Sequence, residues 1–149
     1  HWCYAWRLGA DGARYRANDD GEPSGSAGRP ILGQIDSAGL TQVLVVVVRY
    51  FGGTLLGVPG LIQAYKSVTA DALAGASIHE QEVRMLYRLH CGYPVLSDAL
   101  RIARQHQAEV LQQELLADCV LTLAVPLAQR DACLAAWAQT RQMDVTPLE

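Results

Sequence analysis

The stretch Asp19-Asp20-Gly21-Glu22-Pro23-Ser24-Gly25-Ser26-Ala27-Gly28-Arg29-Pro30 is an acidic loop punctuated by glycine, and the first half of the chain is organised around it. A second stretch, Arg49-Tyr50-Phe51-Gly52-Gly53, follows a run of valines and leads through Gly57 into a helical pattern that carries Tyr65 and Lys66. Glycine costs chain entropy on folding, so its repeated use beside charged side chains indicates loops that serve a site. We therefore predict one concave site built from two loops.

Composition narrows the class of protein. Half of the 149 residues are apolar and 18% are charged, which allows a sizeable core. The formal net charge of −3 gives no general attraction to nucleic acid, so RNA binding would need a local patch. Four cysteines without Cys-x-x-Cys spacing predict reduced, buried thiols and a cytoplasmic protein. The longest apolar run, residues 43–48, is too short to span a bilayer, and we expect no membrane association.

Hydrophobic periodicity predicts the elements of the first half. Bulky residues at positions 2, 4, 6 and 8 predict a strand that buries this face, followed by a hairpin turn at 9–12 and a returning strand at 14–17. Pro30 suits the first turn of a short helix that ends near Gly39. The valine run at 44–48 predicts a central strand covered on both faces. Apolar residues at i, i+3, i+4 and i+7 then predict a long helix that ends near Gly75: Val58, Leu61, Ile62, Tyr65, Val68, Ala72, Leu73 and Ala76.

The second half predicts a separate domain. A polar stretch without periodicity, residues 77–82, is typical of a domain boundary. Beyond it the pattern predicts strands at 83–91, 109–114, 119–125 and 143–146, with helices beginning at Pro94 and near Gln129. The order βαββαβ is that of a ferredoxin-like sandwich. We predict an α+β chain of two domains, 1–77 and 82–149. Because His1 lies directly inside a strand pattern, we expect the first domain to be incomplete at its N-terminus.

Two interpretations of the acidic loop stay open. Glycine amides, two hydroxyls and an arginine before a helix start form a potential anion site, with Arg49 and Lys66 as further cations. Alternatively, the glycines only make tight turns, and the arginines pair with Asp19, Asp20 and Glu22. In that case Asp19 and Asp20 cap turns or pair with Arg49. A divalent metal would suit clustered carboxylates, but the three acids crowd into four residues and we predict no metal site.

The sequence offers no evident catalytic constellation. No histidine stands beside a nucleophile in a suitable pattern, and His1 with Cys3 is better explained by packing. His90, Arg84 and Arg88 share one face of a predicted strand, which gives a secondary candidate for RNA contact without paired aromatics. The alternative to a binding protein is an enzyme, a hydrolase or phosphotransferase that uses residues 19–22. We predict no cofactor and no catalytic residue.

Several motifs resemble the YigZ/IMPACT family. They are Asp19-Asp20-Gly21-Glu22-Pro23, Gly25, Ala27-Gly28-Arg29-Pro30, Arg49-Tyr50-Phe51-Gly52-Gly53, Leu56-Gly57 and Gly60-Leu61 followed by Ala64-Tyr65. The motifs cover about residues 1–76, whereas residues 83–147 resemble the family only in layout. Pro59 and Gln63 stand where the family usually has glycine and often has a basic residue.

The resemblance implies a first domain like the second domain of a small-subunit ribosomal protein and a second domain like the ferredoxin-like domains of elongation factor G. It also implies a regulator of translation. Because the residues show no catalytic constellation, we predict a non-enzymatic regulatory protein that binds RNA, the ribosome or a ribosome-associated regulatory protein through the two glycine-rich loops. The predicted binding residues are Asp19, Asp20, Gly21, Glu22, Gly25, Ser26, Gly28, Arg29, Arg49, Tyr50, Gly52, Gly53, Gly57 and Lys66.

Overall fold

The computed structural model describes all 149 residues and divides into two compact units, His1–His79 and Glu80–Glu149. Each unit has a hydrophobic core of its own. The fold is α+β, as predicted, with one sheet and two α-helices in each unit.

The first unit is a three-stranded antiparallel sheet with two helices. Its elements are β1 (Trp2–Leu8), β2 (Arg14–Asn18), α1 (Gly28–Ser37), β3 (Val43–Val48) and α2 (Gly57–Ala74). The strand order is β2-β1-β3, so the hairpin predicted at residues 9–12 is present. The acidic loop connects β2 to α1, and the second glycine loop connects β3 to α2.

The buried face of β1 is the opposite of the predicted one. Cys3 and Ala5 are fully buried beneath the helices, whereas Trp2 is 65% exposed and Tyr4 and Trp6 are half-buried. Small side chains at the buried positions let Ile31 and Ile35 of α1 pack directly on the strand, and both are fully buried. The bulky even-numbered residues line the face that carries no helix.

The valine strand is also placed differently from the prediction. β3 lies at the edge of the sheet, paired with β1 alone, and is not covered on both faces. Val45 is buried, whereas Leu44, Val46 and Val48 are 60%, 49% and 41% exposed. A continuous apolar run therefore occurs here on a strand with one open face.

Helix α2 covers the predicted range and buries a narrower stripe than its apolar pattern indicates. Leu61, Tyr65 and Thr69, spaced by four residues, are its buried positions. The pattern also predicts burial of three further residues that are 45%, 38% and 46% exposed, namely Val58, Ile62 and Val68. The C-terminal end of α2 lies at Gly75, as predicted.

The second unit has the predicted ferredoxin-like order. Its elements are β4 (Arg84–Cys91), α3 (Tyr93–Gln105), β5 (Glu109–Leu115), β6 (Cys119–Pro126), α4 (Arg130–Ala138) and β7 (Met143–Pro147), with one 3₁₀ turn at Leu127–Gln129. The strand order is β5-β6-β4-β7 and every pair is antiparallel. Both helices pack on one face, where Trp137 is fully buried and donates its indole N–H to the Ala99 carbonyl oxygen at 3.3 Å.

All four cysteines are free and buried, which confirms the prediction made from their spacing. Cys91 and Cys119 lie directly opposite each other on β4 and β6 without a disulfide bond. No helix of this chain has the length and apolar character needed to cross a membrane.

Candidate functional site

Asp19 ties the acidic loop to the start of α1. Its carboxylate accepts hydrogen bonds from the backbone N–H groups of Gly25, Ala27 and Gly28 at 2.9, 3.1 and 2.8 Å. These amides belong to the segment that the sequence marks as a potential anion site. The side chain of Asp19 uses them instead, in the manner of a helix cap, because orphan N–H groups at a helix start favour a carboxylate. The alternative prediction, that Asp19 caps a turn, is confirmed.

Glu22 joins the two loops to α2. Its carboxylate is paired with Arg49 through both guanidinium Nε and Nη2, the latter at 3.0 Å, and it accepts a hydrogen bond from the Tyr65 hydroxyl at 2.8 Å. Glu22 is only 7% exposed and Tyr65 only 2% exposed. A buried carboxylate needs such partners, because removal from water is otherwise costly. The prediction that arginine pairs with the acidic loop is confirmed for Arg49 and Glu22.

The first residues of the chain complete this network. The Cys3 sulfur lies 2.9 Å from the Asp19 carbonyl oxygen and 3.3 Å from the Tyr65 hydroxyl oxygen. The His1 ring lies 2.6 Å from the Asp20 carbonyl oxygen through Nδ1, and its Nε2 lies 4.0 Å from a Glu22 oxygen. The Asp20 carboxylate accepts a hydrogen bond from the backbone N–H of Trp2 at 2.7 Å. The acidic loop is therefore held by side chains and backbone of β1 as well as by Arg49.

The pKa values follow from these contacts. Hydrogen bonds from Arg49 lower the pKa of Glu22 and outweigh its burial, with Tyr65 adding to the effect. Burial alone would raise the pKa of Asp19, but the three amide hydrogen bonds and the nearby Arg29 charge lower it overall. Burial is the main cause that raises the pKa of Tyr65 and of Cys3 above their ordinary values. Both carboxylates are therefore ionised at neutral pH, and the Cys3 thiol keeps its proton.

Three further predicted residues of the acidic loop have packing roles. Gly28 lies against the end of β2, where an added Cβ would come within 2.5 Å of the Asn18 backbone nitrogen. Gly21 lies beside the His1 ring, and a Cβ added there would lie 3.3 Å from that ring. Ser26 is fully buried and donates its hydroxyl to the Pro23 carbonyl oxygen at 2.5 Å.

The second glycine loop projects its apolar side chains into solvent. Tyr50, Phe51 and Leu55 are 87%, 91% and 96% exposed. Gly52 and Gly53 have φ values of 105° and 107°, which residues with a Cβ rarely adopt, so the loop shape depends on both. The predicted Gly57 is the first residue of α2. This loop therefore has a base held by Arg49 and a tip that is an exposed apolar surface.

The remaining predicted cations are unpaired. Arg29 on α1 and Lys66 on α2 are exposed and form neither an ion pair nor a side-chain hydrogen bond. The bases of the two loops meet at Glu22 and Arg49, so the loops adjoin as expected. That together they form one binding site stays a prediction. The open anion pocket between the loops stays a prediction.

The structure adds Tyr65, Cys3 and His1 to the site, residues absent from the predicted set. Of these three residues, Tyr65 could have been predicted, because the hydroxyl of a tyrosine on the buried stripe of a helix needs a hydrogen-bond partner. The acidic loop, 43 residues earlier, supplies that partner. No group of three or more His, Cys, Asp or Glu side chains is arranged to hold a metal ion.

The second unit carries the other predicted surface. Arg84, Arg88 and His90 are exposed on the face of its sheet opposite the helices. Arg88 and His90 line a depression of about 220 Å³, whose full lining is Arg88, His90, Gln112, Glu114, Val120 and Thr122. The lining carries one basic side chain, Arg88, and one acidic side chain, Glu114, so its charge does not favour either anionic or cationic ligands.

The fold and the firmly held acidic loop define a two-unit α+β protein whose first unit carries a specific sequence signature. Residues 1–73 match the family model described as the Impact N-terminal domain. The IMPACT family member YigZ of Escherichia coli is 35% identical over 131 residues, which are 87% of this chain and 64% of that protein. The chain belongs to the IMPACT family.

Two further similarities extend this finding. An IMPACT family member in the pol 5' region of Thermus thermophilus is 54% identical over 76 residues, 51% of this chain and 40% of that protein. A solved structure described as a hypothetical protein has a TM-score of 0.65 at 32% identity, and the match covers all of this chain and 74% of that one. The chain spans less than two thirds of the length of these curated relatives.

Proposed function

We propose that this chain is a non-enzymatic, translation-related regulatory protein of the cytoplasm that binds RNA or the ribosome through its two glycine-rich loops. Membership of the IMPACT family supports a translation-related role in general terms. The observation that carries the binding mode is the contrast within the second loop. Its base is fixed by Arg49 and Glu22, whereas Tyr50 and Phe51 beside it are almost fully exposed.

Exposed aromatic rings on a fixed base suit single-stranded RNA. Unpaired bases stack on aromatic side chains, a contact that tolerates many sequences. Arg29 and Lys66 carry charges that no carboxylate of the chain pairs with, so they are free to contact phosphate. Arg49 has a supporting role in this proposal, because its guanidinium is already used by Glu22.

The chemistry of the acidic loop favours binding over catalysis. Asp19 and Glu22 are ionised and fully engaged by hydrogen bonds from amides, Arg49 and Tyr65. A general acid would need a raised carboxyl pKa, and a nucleophilic thiol would need a lowered one. Here the pKa of the Glu22 carboxyl is lowered and the pKa of the Cys3 thiol is raised, so neither group meets its requirement.

The test is binding of labelled single-stranded RNA and of purified ribosomal subunits to the chain and to its Tyr50→Ala, Phe51→Ala double variant. We expect the double variant to bind at least about tenfold more weakly, because each base–aromatic stack contributes about 1–3 kcal/mol. Its thermal unfolding should be unchanged, since both side chains are exposed.

A matched control removes an exposed apolar side chain elsewhere. Leu116→Ala, between β5 and β6 of the second unit, changes a residue that is 78% exposed and should leave binding intact. Equal binding by the wild-type chain and the loop double variant would contradict the proposed role of this loop.

A further inference from the structure

The open face of the first unit's sheet is a large surface that the proposed function leaves unused. We call it the aromatic face. It consists of the side chains that point away from α1 and α2: Trp2, Tyr4, Trp6 and Leu8 of β1, Leu44, Val46 and Val48 of β3, and Arg14 and Arg16 of β2. Monomeric proteins rarely expose contiguous apolar surface of this kind without a partner for it.

The register shows that the apolar side chains form two adjoining rows. The residues Trp2, Tyr4 and Trp6 lie directly opposite Val48, Val46 and Leu44. Facing residues of an antiparallel pair have Cβ atoms about 4.5–5.5 Å apart, so these six side chains make one continuous patch. Trp2 and Leu44, at its two ends, are 65% and 60% exposed.

A basic border runs along one side of this patch. Arg16 lies opposite Trp6 and Arg14 opposite Leu8, so both guanidinium groups belong to the same face. Both arginines are exposed, and neither forms an ion pair or a side-chain hydrogen bond. By contrast Arg7, on the helix-covered side of β1, is paired with an aspartate of α1 at 2.6 Å. The aromatic face therefore has apolar rows and two arginines without carboxylate partners.

The dimensions of the face suit one α-helix. Three strands place β2 and β3 about 10 Å apart, which is close to the diameter of a helix with its side chains. A strand of seven residues is about 23 Å long, the length of about 15 helical residues. A helix along β1 would thus contact both apolar rows and bring one flank to Arg14 and Arg16.

We infer that the aromatic face is a docking site for an amphipathic helix of a partner protein, about 15 residues long, with acidic side chains on the flank that faces β2. The apolar side of that helix buries Trp2, Leu44 and Val46, and its carboxylates pair with Arg14 and Arg16. The aliphatic row on β3 favours a protein helix over RNA, because leucine and valine offer no ring for base stacking. The inference is independent of the loop function proposed above.

The experiment uses three synthetic peptides of about 15 residues: a leucine-striped helix with a glutamate flank, the same helix with a lysine flank, and a scrambled sequence. Trp2 and Trp6 lie on the aromatic face, whereas Trp137 is fully buried in the second unit, so tryptophan emission reports the contact directly. We expect a blue shift and saturable binding with the glutamate-flanked peptide, and weaker binding with the other two.

Two variants separate the apolar and charge contributions. Leu44→Lys should weaken binding of the glutamate-flanked peptide at least about tenfold, as expected for loss of one buried leucine. Arg16→Glu should weaken that peptide by about threefold and strengthen the lysine-flanked one, which a folding defect cannot do. Leu116→Lys and Arg141→Glu, both at exposed positions of the second unit, are the matched controls and should change nothing.

Three outcomes would overturn the inference. The first is equal binding of all three peptides. The second is displacement of the peptide by single-stranded oligouridine, together with RNA binding that Leu44→Lys abolishes, which would assign the face to nucleic acid. The third is a dimer in sedimentation that Leu44→Lys dissociates, which would assign the face to a second copy of the chain.

Discussion

Glu22 is the residue at which the two loops and helix α2 meet. Its carboxylate receives hydrogen bonds from the Arg49 guanidinium and the Tyr65 hydroxyl, and the Cys3 thiol in turn contacts that hydroxyl. Removal of any one partner would leave a buried polar group without its hydrogen bond, so these contacts hold the groups in one arrangement. The network therefore fixes where the second loop leaves the sheet.

Tyr65→Phe removes one hydroxyl from this network. We expect it to lower the free energy of unfolding by about 1–2 kcal/mol, because Glu22 stays buried with one hydrogen bond fewer. Urea unfolding measures the difference. Tyr50→Phe is the control, since that side chain is 87% exposed and forms no hydrogen bond. Equal stability of the two variants would show that the Tyr65 hydroxyl contributes nothing.

The two lowered carboxyl pKa values give stability a defined pH dependence. Because Asp19 and Glu22 have lower pKa values when folded, the unfolded chain binds more protons in acid. Their contribution is fully present above their ordinary values, 3.8 and 4.5, and is lost as the pH falls through the lower folded values. We expect the urea midpoint to fall steeply below about pH 4.

Glu22→Gln should make that acid decline shallower, because the variant cannot take up the proton. Glu80→Gln is the control, since it changes an exposed acid outside this network. A decline of the same steepness in the wild-type chain and in Glu22→Gln would show that Glu22 does not contribute to it.

At the scale of elements, the position of α1 depends on how closely it approaches β2. Gly28 lets the first turn of α1 lie against the Asn18 backbone, where an added Cβ would come within 2.5 Å. Since the obstacle is backbone, it cannot rotate away as a side chain could. The acidic loop can therefore join β2 to α1 in this way only with glycine at position 28, because any other residue would bring a Cβ against the Asn18 backbone.

Gly28→Ala should destabilise the chain by about 1–3 kcal/mol, the usual cost of overpacking. Gly33→Ala lies in the same helix, where an added Cβ meets nothing within 4 Å. That control should be neutral or stabilising by up to about 1 kcal/mol, since alanine is the better helix former. Thermal unfolding measures both variants, and equal effects would contradict the close approach.

The elements themselves could be predicted from periodicity, and so could the buried face of β4, but the buried face of β1 and the covering of β3 could not. In β1 both alternating sets of side chains contain apolar residues, and the bulkier set at the even positions is the one that the pattern predicts to be buried. The helices instead pack on the other set, where Cys3 and Ala5 are small enough to lie beneath them. In β3 a run of valines is compatible with either one or two covered faces. The pairing of Glu22 with Tyr65 joins residues far apart in sequence, a contact for which local pattern carries no signal.

At the scale of the whole molecule, the chain consists of two units with separate cores. The first unit carries the acidic loop held by Glu22, the exposed Tyr50 and Phe51, and the unpaired Arg29 and Lys66. Because the formal net charge is −3, the proposed binding to RNA would have to come from such local groups. Contacts to phosphate release counterions and therefore weaken as salt rises.

The most direct test of the proposed function is titration of labelled single-stranded RNA and ribosomal subunits at two salt concentrations, run beside a phosphate-ester and peptide hydrolysis screen. We predict binding at low salt that weakens as salt rises, a smaller salt dependence in an Arg29→Ala, Lys66→Ala variant, and no turnover. Absence of binding at low salt, together with hydrolysis that Asp20→Asn abolishes, would contradict this function and make the acidic loop an active site.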